Sequence, residues 1–145
     1  MQHQVTPPAS ASRELSRDEG LRFRRNVTFG RIVFISRATP AIRVVSHAMD
    51  GVDLLLGLPY ESEINALLTH TSPVVYQADL LDAATRLGWS VVLSGRAGLV
   101  EDPEEVEHAL RRLRPWPGER IDVVVRIHPE LVTGFHVAEV GAGGP

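Results

Sequence analysis

Short β-branched and apolar runs, broken at close intervals by Pro, Asp and Gly, constrain this chain more than any other feature. Arg31-Ile32-Val33-Phe34-Ile35, Ala41-Ile42-Arg43-Val44-Val45 and Val52-Asp53-Leu54-Leu55-Leu56 follow one another with only Pro40 and Asp50-Gly51 as punctuation. Runs of this length and spacing are too short for helices and suit consecutive antiparallel strands. Further strands are expected at Pro73–Gln77 and Ser90–Val100, the latter long enough to bend, with Gly95 or Gly98 supplying a kink or bulge. Ile121–Ile127 and Val132–Val137 finish the set, with Pro129-Glu130 read as the turn between them. Helical signals are few. Ser16 and Glu19 stand three apart as a capping box, opening a short helix to about Asn26. Ile64, Leu67 and Leu68 recur at helical spacing, in keeping with a short helix over one barrel mouth, and Asp102-Pro103-Glu104-Glu105 starts a helix that ends before Pro115. The expectation is a mainly β fold: a six- to seven-stranded antiparallel barrel with small helices.

The size of 145 residues, 43% of them hydrophobic, suits one domain with one core. Residues 1–14 and 139–145 read as disordered tails and 15–138 as the domain, because the tails offer too little apolar surface to offset ordering entropy. Fifteen basic against eighteen acidic residues, net −3 and without a long run of either sign, argue against a nucleic-acid footprint. No continuous apolar stretch suits a membrane span or leader, so a cytoplasmic location is expected. The absence of cysteine removes disulfides, thiolate nucleophiles and zinc–cysteine sites, so any redox chemistry has to come from a cofactor. The histidines lack metal-ligand spacing, and no nucleophile elbow, phosphate-cradling glycine loop or paired-carboxylate motif appears.

The run Thr85-Arg86-Leu87-Gly88-Trp89-Ser90-Val91-Val92-Leu93-Ser94-Gly95-Arg96-Ala97, followed by Val100-Glu101-Asp102-Pro103-Glu104, resembles the signature of the pyridoxamine 5′-phosphate oxidase-like split-barrel family. Upstream, Gly30-Arg31, Pro40 to His47 and Asp50-Gly51 are similar to that family's first hairpin. Downstream, Pro115-Trp116 and Arg126 to Gly134 are similar to its last strands. The resemblance implies a split β-barrel that pairs with a second copy of itself and holds flavin mononucleotide (FMN) in the groove between the two. It places Arg43, Val45 and His47 beside the flavin ring, on one face of their strand, and brings Trp89 and Ser90 in from the partner subunit. Oxidoreductase activity on a small molecule is the implied function.

At the phosphate the chain departs from the family. An Arg-Thr pair at the end of the third strand and a Lys soon after are replaced by Gly57, Leu58 and Glu63, leaving Ser62 as a hydroxyl donor. Two lost charged contacts correspond to about a hundred- to ten-thousand-fold weaker phosphate binding. Two alternatives therefore stand beside the flavoprotein. One is a dimeric module that is cofactor-free or carries a deazaflavin or haem; the other is a purely structural dimer whose groove is filled by Leu58 and Tyr60. Individual residues also have plainer roles open to them. Trp89 suits a rim aromatic packed at the dimer seam, His47 a half-buried structural histidine, and Arg24-Arg25 and Arg111-Arg112 solvated helix faces.

Overall fold

The computed structural model describes residues 10–61, 64, 67 and 72–140. Seven antiparallel strands form one sheet: β1 (Ser10–Glu14), β2 (Phe29–Ser36), β3 (Thr39–Asp50), β4 (Asp53–Leu58), β5 (Ser72–Leu81), β6 (Gly88–Leu99) and β7 (Val123–Glu139). Their order is β1-β7-β4-β3-β2-β5-β6, and β6 pairs in turn with β7, which closes the sheet into a barrel. Helix α1 (Arg17–Phe23) runs into a 3-10 turn at Arg24–Asn26, and helix α2 (Pro103–Arg112) joins β6 to the last strand. The capping box forms as its spacing predicts. Ser16 Oγ accepts from the Glu19 amide, and the Glu19 carboxylate accepts from the Ser16 amide at 2.9 Å. Asp102 caps α2 with its carbonyl alone, accepting from Val106 N at 3.0 Å, and Pro103 occupies the first turn, where its missing N–H costs nothing.

Leu54, Leu55, Leu56 and Leu58 of β4 are all buried, so this strand has no solvent face. Its even-numbered leucines fill the barrel interior with Ile32, Phe34, Tyr76, Leu93 and Val125, whereas Leu55 joins Ala48, Ala109, Leu113 and Val124 in a second cluster beneath α2. A run of leucines in place of apolar–polar alternation is the sequence consequence of being covered on both sides. Ile64 and Leu67 are also fully buried in the main core. The rest of the helix expected over 61–68, including Ser62 and Glu63, lies outside the described residues.

Three expectations need correcting. Residues 10–14, read as part of a disordered tail, form β1 and pair with Phe135–Glu139. Backbone hydrogen bonds hold this polar strand, and its side chains gave no apolar signal. Pro129-Glu130 is not a turn. Residues 121–137 contain one long strand in place of two, and β7 passes through the dipeptide with a register shift opposite Ser94-Gly95, Glu130 being the extra residue. A β-bulge is where a strand tolerates proline, which has no N–H to donate. Arg24, read as part of a solvated face, is completely buried. Its Nε donates to Leu21 O at 3.1 Å and its Nη2 to Val52 O at 2.6 Å.

Candidate functional site

Arg43, Val45 and His47 do share one face of β3, as alternation requires, and that face is the interior. Val45 belongs to the core. His47 is 3% exposed, with Nδ1 2.5 Å from Tyr76 Oη and Nε2 3.2 Å from the Arg24 carbonyl oxygen. A carbonyl only accepts, so Nε2 carries the proton and Nδ1 accepts from the Tyr76 hydroxyl. Burial lowers the His47 pKa to about 4 and raises that of Tyr76 well above its usual value, so both are neutral at pH 7. Arg43, nearest the mouth, holds Glu61 at 3.4 Å. The side chains of Val45 and His47 thus have buried structural surroundings, with His47 also bordering an open cleft beside Arg25 and Thr28.

Trp89 also points inward. It is 4% exposed within the single chain and packs against Phe23 with ring centroids 5.4 Å apart, so it belongs to its own barrel's core and not to a rim. Ser90 turns the other way and accepts a 3.1 Å hydrogen bond from Gln77 Nε2. In the sheet order β2 and β5 separate β3 from β6, about 14 Å at normal strand spacing.

Gly57 and Leu58, expected to stand where the family carries phosphate ligands, are occupied by packing: a Cβ built on Gly57 would lie 2.6 Å from Ile121 Cδ1, so a larger side chain there requires Ile121 to shift, and Leu58 is fully buried. Beside them the 114–119 segment is pinned to β3. Ser46 N donates to Glu119 Oε2 at 3.1 Å, Ser46 Oγ donates to Glu119 Oε1, and Trp116 N donates to the same carboxylate at 3.2 Å. Trp116 stacks edge-on against Phe29, centroids 5.0 Å apart. Neither clamp was anticipated from the sequence, since Glu119 and Ser46 lie 73 positions apart.

The outer face of the barrel carries a second apolar surface. The registers align Ile42, Val33, Val75, Ser94 and Leu131 in one row across β3, β2, β5, β6 and β7. The next row holds Val44, Arg31, Gln77, Val92 and Thr133. Ile42, Val44, Val75, Val92 and Leu131 are exposed, Leu131 by 61%. At the heart of this apolar face is a small polar network: Arg31 donates to Gln77 Oε1 at 3.3 Å, and Gln77 Nε2 donates to both Asp79 and Ser90. An open cleft of about 310 Å³ runs along its edge between Val33, Ile35, Pro73 and Arg96. Paired valines, Val44-Val45, Val74-Val75 and Val91-Val92, carried the signal: one of each pair faces the core, and its neighbour faces outward.

Among the described residues no group of three or more His, Asp or Glu could hold a metal ion, and no helix is long and apolar enough to cross a membrane.

Residues 16–136 match the family model described as pyridoxamine 5′-phosphate oxidase. The uncharacterised protein Rv0080 of Mycobacterium tuberculosis is 39% identical over 128 residues, covering 86% of this chain and 84% of that one. Among solved structures, the FAD-binding protein of Mycobacterium smegmatis superposes with a TM-score of 0.68 at 26% identity, covering 86% of this chain and 98% of its own. A Corynebacterium glutamicum protein assigned to the same oxidase group gives 0.70 at 25% identity, covering 90% and 100%. With residues 16–136 matching that family model and a closed antiparallel barrel in agreement with the resemblance seen in its sequence, the chain belongs to the pyridoxamine 5′-phosphate oxidase family of split β-barrels.

Proposed function

We propose that two copies pair through the apolar outer face, and that the seam binds a flavin and passes electrons between it and a small molecule. The observation that carries this reading is the face itself. Four strands of a closed barrel present Ile42, Val44, Val75, Val92 and Leu131 to water, a contiguous patch of the kind that marks an interaction surface. A planar ring suits an apolar seam, and the Arg31–Gln77–Asp79–Ser90 network supplies donors and acceptors within it. The M. smegmatis relative binds FAD, which supports a flavin here. A bound flavin supplies hydride chemistry; the chain's part is to position the ring and exclude water.

The phosphate end fits FMN poorly. Gly57 and Leu58 offer no side-chain donor, and Arg43 already faces the Glu61 carboxylate. We therefore favour a flavin held mainly through its ring, with FAD bound at least as tightly as FMN because its anchoring does not depend on a terminal phosphate pocket. The same closed positions support a second reading, a dimer that has lost the FMN phosphate site and is cofactor-free or carries a deazaflavin or haem.

Titration of the purified protein with riboflavin, FMN and FAD, followed by quenching of flavin fluorescence, separates the readings. Saturable micromolar quenching by FAD, with FMN no tighter than FAD, supports the first. No quenching by any flavin refutes it, and FMN tighter than riboflavin by a thousand-fold or more, the span of a full set of charged phosphate contacts at about 1.5–3 kcal/mol each, refutes the ring-centred binding.

A further inference from the structure

On the far side of β3 from the apolar face's Ile42 end, an open cleft of about 390 Å³ lies between the 3-10 turn after α1, the β3–β4 turn and the C-terminal end of α2. Arg25 and Arg112 line it together with Thr28, His47 and Gly51, and no carboxylate is among its walls. Neither the Arg25 nor the Arg112 side chain has a hydrogen-bond or ion-pair partner among the described residues, as is also true of Arg22, Arg37, Arg86 and Arg114, but these two line one cleft. Arg24, beside Arg25 in the chain, adds a third guanidinium to the neighbourhood. It is fully buried with Nη1 unpartnered, and burial, helped by the nearby Arg25 charge and opposed by Asp53, lowers its pKa to about 10.

We infer that this cleft is a binding site for a phosphate dianion, carried by a small phosphorylated ligand. Two unpaired guanidiniums converging on one concavity, a third buried close by, a free hydroxyl at Thr28 and no acidic side chain make a donor-only surface. Guanidinium recognises phosphate through paired N–H donors, and an oxyanion relieves the repulsion between Arg25 and Arg24, which the Asp53 carboxylate offsets only in part. His47 fits the same role from below. Its Nε2–H is committed to the Arg24 carbonyl, so it fixes the floor of the cleft without introducing a negative charge. Gly57 and Leu58 are not among the residues that line the cleft, so the inference is independent of whether a flavin occupies the seam.

The test is titration with inorganic phosphate at constant ionic strength, read from the backbone amide resonances of Thr28 and Gly51. The expected result is a saturable shift of both, weakened about ten-fold or more by Arg25→Ala or by Arg112→Ala, the loss of one charged contact. Arg22→Ala, which removes an exposed arginine from α1, leaves the affinity unchanged, and Arg25→Lys retains part of it. A wild-type titration without saturation overturns the inference, as does a shift that survives the double substitution or is lost equally in Arg22→Ala. All three arginine side chains are exposed, so the variants fold, which circular dichroism verifies. Competition then identifies the source of the dianion. Displacement of phosphate by FMN but not by riboflavin assigns it to the flavin, and displacement by neither assigns it to a separate phosphorylated molecule.

Discussion

Acid should destabilise this barrel at a pH well above that at which its carboxylates protonate, and His47 is the reason. Buried between Tyr76 Oη and the Arg24 carbonyl, its imidazole has a pKa near 4 in the folded chain against 6.5 when solvated. Protonation would put a charge in the core and turn Nδ1 from the acceptor of the Tyr76 proton into a competing donor. Because the folded pKa is the lower one, the unfolded chain binds the extra proton between those two values, and stability falls as pH drops from 6.5 towards 4. At up to about 1.4 kcal/mol per pH unit the loss is about 2 kcal/mol between pH 6.5 and 4.5. The lowered carboxylates Glu19, Asp82 and Asp122 contribute stability that is lost only as pH falls below their unfolded values near 4, so the upper window belongs to the histidine. Urea denaturation at pH 6.5, 5.5 and 4.5 measures the slope in the native chain and in His47→Gln, which keeps an acceptor and a donor but does not titrate. The variant is expected to be less stable at pH 6.5 and nearly flat through the window. Parallel slopes in the two proteins would refute the assignment of the buried neutral imidazole.

Three further perturbations probe other parts of the account. Gly30→Ala would place a Cβ 2.6 Å from Tyr76 Oη and 2.5 Å from Gln77 O, so it should cost about 2–4 kcal/mol from overpacking and a displaced buried hydroxyl, and less in a Tyr76→Phe background; additive costs in the double variant would contradict the contact. The β2–β3 hairpin turns on Arg37 and Ala38 with φ of 52° and 61°, so Ala38→Gly should stabilise the fold by roughly 0.5–1 kcal/mol in thermal or urea denaturation, and destabilisation would count against that turn geometry. Glu119→Gln should loosen the 114–119 segment, seen as faster amide hydrogen exchange at Trp116 and Ser46 while β6 and β7 are unaffected; unchanged exchange at both would show that the carboxylate does not hold the segment.

Local chemistry made most of the architecture readable in advance. Ser16–Glu19, Asp50-Gly51 and Asp102-Pro103 are punctuation whose meaning depends on a few neighbouring residues, and each sits where its chemistry places it. Two kinds of information were out of reach. Backbone pairing has no side-chain signature, so the polar strand Ser10–Glu14 looked like a tail until β7 was beside it. Proline at a bulge and proline in a turn look alike in sequence, because what distinguishes them is the partner strand at Ser94-Gly95. The site suffered from the same gap. Alternation established that residues 43, 45 and 47 lie on one face, yet which face is buried depends on elements tens of residues away, and packing against Tyr76 and Arg24 turned that face inward. Trp89 followed the same logic: a large aromatic at the end of a strand was equally compatible with the seam and with Phe23. The paired valines that reveal a second apolar surface were legible throughout, but they gain meaning only when the registers align them into rows.

The outer face is proposed as the place where two barrels meet around a ligand. Light scattering coupled to size exclusion, run on the native chain and on Val75→Asp with and without FAD, addresses it directly, since Val75 is exposed in the single chain and a carboxylate there disturbs nothing inside. Two chains per particle for the native protein, one for the variant, and loss of FAD quenching together with the dimer are the predicted results. A native particle of one chain, or a monomeric variant that binds FAD as tightly as the native protein, would contradict it.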